Sequence, residues 1–98
     1  MTTSPSLDHT LHAIADPTRR RILQALKQTG TSSPAEKKGL CAGDIEERVH
    51  LSQPTISHHM AILTRAGLVD ALKQGQWRWY RRNEKALRQL VKSLRRQL

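Results

Sequence analysis

Residues 51–69, LSQPTISHHMAILTRAGLV, combine the start, the buried face and the end of a single helix. Ser52 is a residue type favoured at helix N-caps, and Pro54 falls in the first turn, where a missing N–H costs little. Apolar residues recur at helical spacing and predict one buried face, formed by Ile56, Met60 and Leu63. Gly67 can adopt the left-handed conformation that ends a helix. The segment therefore predicts a helix that begins near Ser52 and ends before Gly67.

The exposed start of this helix carries short hydrogen-bonding side chains, namely Ser52, Gln53, Thr55, Ser57 and His58. Glutamine can pair with adenine through two hydrogen bonds, and serine and threonine suit several bases. A helix N-terminus also favours phosphate. A plainer interpretation is that Ser52 and Thr55 only cap the helix, but capping and DNA contact are compatible. We therefore predict that this turn enters a major groove, with Arg65 near the helix end as a further DNA contact.

Two adjacent histidines, His58 and His59, lie in the same helix. Neighbouring helical residues point about 100° apart, so the two rings do not share one face. With the apolar face inward, His58 points outward toward DNA and His59 lies at the flank, packed or hydrogen-bonded. We do not expect this pair to bind a metal ion.

The positive charge of the chain is concentrated in its last quarter. The formal net charge is +9, and residues 73–98 hold nine Lys or Arg against one acid, Glu84. A basic segment of this kind favours a polyanionic partner, nucleic acid before a membrane surface. The alternative is a highly charged, solvated protein.

Local signals place further helices ahead of residues 51–69. The helical spacing of Leu7, Leu11 and Ile14 predicts a first helix, and a second is expected from Pro17 to about Gln28. A loop over residues 29–39 separates them from a third helix, from about Ala42 to Val49. Asp16 is expected to cap the second helix. Apolar side chains on both sides of a turn at residues 50–51 would join the third and fourth helices into a helix-turn-helix.

A β-hairpin is predicted after Gly67, with strands over residues 68–73 and 77–82 around a glycine turn at 74–76. A basic hairpin next to such a helix is a wing. Its tip residues are expected on the phosphate backbone, with a solvated turn as the alternative: Lys73, Gln74, Gln76 and Arg78. Its aromatic residues are expected to pack against the domain, with a stacking platform for single strands as the alternative: Trp77, Trp79 and Tyr80.

The helical period returns from about Asn83, with one apolar stripe formed by Leu87, Leu90, Val91, Leu94 and Leu98. This stripe could pack on the core of its own chain. However, a small domain with apolar stripes on both terminal helices has more apolar surface than it can bury within one chain. We expect a two-fold homodimer whose interface includes Leu7, Leu11, Leu87, Leu90, Val91 and Leu94. Its two recognition helices, about 34 Å apart, would contact a near-palindrome.

Composition excludes several classes of protein. Cys41 is the only cysteine, so an intrachain disulfide is impossible, and this fits a reducing, cytoplasmic location. No apolar run approaches the ~20 residues of a membrane span. Residues 1–6 are expected to form a flexible tail without a secretory signal, and residues 7–98 a single domain. No catalytic constellation is present, so neither an enzyme nor a cofactor is predicted.

Three segments together resemble the ArsR-type winged-helix transcriptional repressors of bacteria: residues 16–23 (DPTRRRIL), 51–69 and 75–81 (GQWRWYR). The likeness covers about residues 7–96. It implies a homodimer joined through the first and last helices, recognition helices in successive major grooves, and wings on flanking minor groove or backbone. It also implies repression relieved by a metal ion or another inducer. Arg82 stands where family members usually bury a leucine, and the sequence offers no account of it.

The chain departs from the family's sensing motifs. Metal sensors of the family often carry Cys-x-Cys at the third helix, where this chain has Cys41 but Gly43. Other members use acid and His ligands on the last helix, where this chain has only Glu84. Cys41 is therefore expected to be buried and inert. A weak alternative is a metal site that Cys41 shares with His9 and His12 across the dimer.

We thus predict a mostly α-helical protein with a small β-hairpin wing, a winged helix-turn-helix of about five helices. Its expected function is that of a sequence-specific transcriptional regulator, most simply a repressor, which binds double-stranded DNA as a homodimer and answers to an unknown inducer. Two alternatives stay open. One is a metal- or redox-responsive sensor that uses Cys41, and the other is an architectural module without sequence preference.

Overall fold

The computed structural model describes residues 7–27 and 39–98. Within these residues, five helices and three short strands follow the order α1 (Leu7–Ala15), α2 (Pro17–Lys27), β1 (Leu40–Cys41), α3 (Ala42–Val49), α4 (Gln53–Arg65), β2 (Val69–Gln74), β3 (Trp77–Arg82) and α5 (Glu84–Gln97). The predicted winged helix-turn-helix is confirmed. The predicted tail at residues 1–6 and nearly all of the predicted loop at 29–39 lie outside the described residues. No helix in the described part is long and apolar enough to cross a membrane.

The junction between α1 and α2 forms as its sequence predicts. The Asp16 carboxylate accepts hydrogen bonds from the backbone N–H groups of Thr18 at 2.7 Å and Arg19 at 3.1 Å. Pro17 occupies the first helical position, where no N–H is needed. Asp16 is therefore the N-cap of α2 and fixes its angle to α1.

The turn between α3 and α4 depends on one left-handed residue. His50 has φ 57° and ψ 48°, and its N–H donates to the Glu46 carbonyl at 2.9 Å. This conformation ends α3 and redirects the chain within two residues of Ser52, the N-cap of α4. Val49 and Ile56 are both buried, so the two helices meet through the core.

The wing is a two-stranded hairpin extended by a third strand. The strand order is β1-β3-β2, all antiparallel, and Gln74 pairs with Trp77 across a two-residue turn. Gly75 has φ 62°, which a tight hairpin turn of this length favours. The sequence did not predict β1, in which Leu40 pairs with Tyr80 and Cys41 with Trp79. A two-residue strand that pairs some forty residues along the chain leaves no local periodicity to detect.

One core joins all the helices to the base of the sheet. Its fully buried large side chains are Ile22, Ile45, Ile56, Met60, Leu63, Leu68 and Val69. Leu90 is the only buried residue of α5, at 6% exposure. Asn83 caps α5 by accepting from the Ala86 N–H at 3.0 Å. The core thus holds α4 between α1, α3 and β2, and leaves one side of α5 in solvent.

Two sequence expectations need correction. Trp77 does not pack against the domain but is 57% exposed, because it lies at the tip of the hairpin beyond the reach of the core. Cys41 is only half-buried, because β1 is an edge strand of the sheet. Ser52 is the N-cap of α4, as predicted, although its hydroxyl makes no capping hydrogen bond and lies 3.0 Å from the Thr55 hydroxyl instead.

Candidate nucleic-acid interface

The polar and apolar sides of α4 separate as predicted. The buried side consists of Ile56, His59, Met60 and Leu63. The predicted contact residues face solvent or are half-buried: Ser52, Gln53, Ser57, His58 and Arg65 are exposed, and Thr55 is half-buried. The start of α4 therefore presents a continuous hydrogen-bonding surface that no other described element covers.

The first turn of α4 keeps its backbone donors available. The Ser52 hydroxyl is engaged with the Thr55 hydroxyl and leaves the first-turn N–H groups without a side-chain cap. Uncapped N–H groups at a helix N-terminus, together with the helix dipole, attract phosphate. This geometry suits a helix that approaches a DNA backbone with its N-terminal end.

Arg19 contacts the buried side of α4 through His59. Its side chain is 7% exposed, its Nε donates to the Ala13 carbonyl at 2.6 Å, and its Nη2 donates to the His12 carbonyl at 3.0 Å. Its Nη1 lies 3.3 Å from Nδ1 of His59. Because arginine has no acceptor, Nδ1 of His59 must accept, and the ring is the neutral tautomer with its proton on Nε2. His59 is thus packed and hydrogen-bonded, as predicted.

Burial is also the main reason why the pKa of His59 lies below its usual 6.5, and the nearby charge of Arg19 adds to this while Asp16 opposes it. The pKa of Asp16 is in turn lowered, first of all by the hydrogen bond that its carboxylate accepts from the Arg19 N–H. One arginine therefore links the end of α1, the cap of α2 and the buried side of α4.

Three other arginines hold helix ends rather than a ligand. Arg20 donates to the Ile14 carbonyl at 2.6 Å, Arg21 to the Val49 carbonyl at 3.1 Å, and Arg48 to the Ala25 carbonyl at 3.3 Å. Cations near the carbonyl end of a helix are favourable. In the sequence, Arg20 and Arg21 stand out only as part of the DPTRRRIL segment that carries the family resemblance, and Arg48 only adds to the charge.

The wing places its predicted tip residues in solvent. Lys73 pairs with Arg78 across the hairpin, next to the Gly75 turn, and Gln74 and Gln76 flank that turn. All four side chains are exposed. Trp77 lies beside them, on the same face as Trp79 and the 54% exposed Leu72. The wing therefore combines cations near its tip with an exposed apolar face.

Arg82, unexplained by the sequence, is held at the base of the wing. Its guanidinium Nε lies 3.0 Å from one carboxylate oxygen of Glu84, and Nη2 donates to the other at 3.0 Å. Nη1 donates to the Leu23 carbonyl at 3.4 Å. Arg82 is mostly buried and paired, so it joins the wing to α2 and α5 and is not part of the exposed basic surface.

Cys41 lies at the N-cap of α3 and donates through Sγ to Asp44 Oδ2 at 3.1 Å. In the part of the chain that the structure describes, no three His, Cys, Asp or Glu residues are placed to hold a metal ion. The Cys41 position thus contributes to the local capping of α3.

The predicted dimer residues do not all face solvent. Leu7, Leu11, Leu87 and Leu94 are half-buried against the core, and Leu90 belongs to it. Val91 is 66% exposed and Leu98 99% exposed. The uncovered part of the stripe is therefore the outer side of α5.

Comparison with known proteins places this chain among DNA-binding proteins. A family model described as a helix-turn-helix domain matches residues 14–70. The transcriptional repressor SdpR of Bacillus subtilis (strain 168) is 35% identical over 85 residues, which is 87% of this chain and 84% of that protein. An arsenical resistance operon repressor of Staphylococcus xylosus is 39% identical over 77 residues, 79% of this chain and 65% of that protein. An ArsR-like transcriptional regulator from Rhodococcus sp. RHA1 matches in structure with a TM-score of 0.70 at 25% identity, over 92% of this chain and 76% of that one.

Proposed function

We propose that this chain, which belongs to the ArsR family of winged-helix transcriptional regulators, acts in the cytoplasm as a homodimeric repressor on a near-palindromic DNA operator. Its relatives and its fold are those of DNA-binding regulators and not of enzymes. The observation that carries the proposal is the exposed hydrogen-bonding start of α4, set on a helix whose other side is fixed in the core.

The two exposed surfaces suit different parts of DNA. The side chains at the start of α4 are short and polar, and groups of this kind hydrogen-bond to base edges in the major groove. The wing tip is cationic, and cations contact phosphate without reading sequence. We assign base contacts to Ser52, Gln53, Thr55, Ser57, His58 and Arg65, and backbone contacts to Lys73, Gln74, Gln76 and Arg78.

A second copy of the chain is needed to cover the outer side of α5. We assign the interface to α1 and α5, through Leu7, Leu11, Leu87, Leu90, Val91 and Leu94. A two-fold arrangement places the same residues of both copies together and doubles the DNA surface. Half-sites would then lie about 34 Å apart, one turn of DNA.

Selection of bound sequences from a random duplex pool, followed by binding titrations of the selected site at several salt concentrations, tests this function. A specific repressor prefers its operator over random DNA by ~10³ or more. The operator should contain two related half-sites in inverted orientation. An architectural module would enrich no sequence and would show only a steep decrease of affinity with salt, and that result would refute the proposal.

A further inference from the structure

The tip of the wing extends beyond the core of the domain. Tyr80 is the only buried residue of β3, at 7% exposure, and Trp77 lies three residues closer to the turn. Since a strand rises about 3.3 Å per residue, the hairpin carries Trp77 roughly 10 Å beyond Tyr80. The minor groove of DNA is ~7.5 Å deep, so a projection of this length can reach the base pairs at its floor.

The two faces of this tip differ in their chemistry. Trp77 lies opposite Gln74 on the outer face of the hairpin and is 57% exposed. Lys73 and Arg78 lie directly opposite each other on the other face. Like charges at such positions repel each other, and the ion pairs formed among the described residues include neither cation. The tip therefore combines an exposed indole ring with two cations that an external polyanion would neutralise.

The base of the wing is fixed next to α4. Strand β2 begins four residues after α4 ends, and Leu68 and Val69 at this junction are 0% and 1% exposed. A two-residue turn with Gly75 at φ 62° closes the other end of the hairpin. Both ends of the hairpin are therefore constrained, and the wing tip is held at a set distance from the helix that we propose to enter the major groove.

We propose that Trp77 inserts its indole ring between two base pairs in the minor groove beside each half-site, while Lys73 and Arg78 contact the phosphates along that groove. Apolar side chains that enter a minor groove in this way partly unstack a base step and kink the duplex by ~20–90°. This inference rests on the function proposed above and adds to it a residue that selects sequence through DNA deformation. Pyrimidine–purine steps kink most easily, so the operator should carry one at the position that Trp77 reaches.

Selection of bound sequences from a random duplex pool, run in parallel with the unmodified chain and with W77A, tests this assignment. The unmodified chain should enrich a TA or CA/TG step outside both half-sites. W77A should retain the half-sites and lose this flanking preference. A pool in which no half-site is enriched refutes the proposed function, whereas half-sites with the same flanking sequence for both proteins refute the role of Trp77 alone.

DNA bending and salt dependence separate a wedge from other roles of the exposed ring. Energy transfer between dyes at the two ends of the selected operator should report a bend with the unmodified chain and with W77F, which keeps an aromatic wedge. The bend should be much smaller with W77A. This variant should also bind the operator about tenfold more weakly, as expected for the loss of one stacked ring. Its salt slope should be unchanged, because the indole carries no charge.

The matched control is L72A, because Leu72 is comparably exposed, at 54%, on the same face but two residues farther from the turn than Gln74, the partner of Trp77. L72A should bend and bind the operator as the unmodified chain does. Equal losses for L72A and W77A would show that the whole outer face contacts a partner, and the wedge would then be wrong. If W77A bends and binds the operator normally but binds oligo(dT) more weakly, the ring is a stacking platform for single strands and the proposal is overturned.

Discussion

Arg19 demonstrates that a cation in a strongly basic chain can serve the fold rather than the DNA. Its guanidinium satisfies two carbonyls at the end of α1 and the Nδ1 atom of His59, all within a nearly buried environment. A buried charge is tolerated only when such partners are complete. The neutral state of His59 is part of this arrangement, because a protonated ring would place a second cation against Arg19.

The stability of the fold should therefore depend on the protonation of His59. Its pKa is lowered in the folded chain by burial, whereas the unfolded value is 6.5. Near this pH the unfolded chain therefore binds a proton at His59 more readily than the folded chain does. The free energy of unfolding should consequently fall as the pH drops through 6.5. The lowered pKa of Asp16 has its effect only at more acidic pH, below its usual 3.8.

Urea denaturation at about pH 7.5 and about pH 5.5, at one protein concentration, measures this effect. The H59N substitution should reduce the difference between the two pH values, because an asparagine carbonyl can accept from Arg19 and does not titrate. The matched control is H58N, because His58 is exposed in the same turn and its charge contributes least to the lowered pKa of His59, so its removal should reduce the difference less than H59N does. Equal behaviour of H59N and H58N would show that His59 does not set this dependence.

Two glycines offer a second test at the same scale. Gly39 has φ 95°, and a Cβ atom there would overlap the backbone carbonyl of Tyr80, whereas nothing lies within 4 Å of a Cβ at Gly43. G39A should lower the free energy of unfolding by at least about 2 kcal/mol through backbone strain and the displaced strand. G43A lies in α3 and should raise it by up to about 1 kcal/mol. Denaturant titration of both variants measures these changes. An equal decrease in the free energy of unfolding of both variants would contradict this account.

Single residues were predictable from sequence when one local rule fixed them. The outward direction of His58, the cap at Asp16 and the left-handed Gly67, with φ 79°, all follow from spacing or residue type. The partner of His59 is 40 positions away in Arg19, and Arg82 binds across to Leu23. Pairings between residues so far apart in the sequence depend on the assembled fold and leave no local sequence pattern.

At the scale of elements, α4 and the wing should divide the work of DNA binding. In the function proposed above, base contacts from Ser57 and His58 would specify sequence, whereas the wing cation Arg78 would contact the backbone of any DNA alike. S57A and H58A should each cost about 1–3 kcal/mol on the selected operator and relax the preference at particular base pairs. R78A should weaken operator and random DNA equally and reduce the salt slope by about one. Anisotropy titrations on both DNAs at several salt concentrations distinguish these effects, and identical profiles for all three variants would refute the division.

The helices were more predictable than the sheet for the same physical reason. The apolar period of a helix lies within its own segment, so α3 was predicted with its observed bounds of Ala42–Val49. The hairpin of β2 and β3 is also local, since its turn residue Gly75 lies between the strands. Strand β1 exists only because the folded core brings it to β3, and the exposure of Trp77 follows from how far the hairpin extends beyond that core.

At the scale of the whole molecule, the remaining question is how one small domain covers the outer side of α5. The inner side packs through Leu90, which leaves Val91 at 66% exposure among five cations of the same helix. In the proposed dimer, two such helices from symmetry-related copies would bury Val91 and the half-buried leucines, while their cations would remain at the rim. Dimer formation and operator affinity are then linked, because only a dimer presents two recognition helices at the half-site spacing.

Placing a charge at Val91 should separate the two copies. V91K adds a buried, unpaired cation to the proposed interface, and we expect sedimentation analysis to show monomers at concentrations where the unmodified chain is dimeric. Operator affinity should fall when the dimer dissociates, while weak binding of the monomer to a single half-site persists. The matched control is L72K, because Leu72 is a comparably exposed apolar residue, at 54%, on the wing rather than on α5. L72K should remain dimeric, since the same change in charge and hydrophobicity then lies outside the interface. A dimeric V91K with unchanged operator affinity would place the contact between the copies elsewhere, and the paired half-sites would need another explanation.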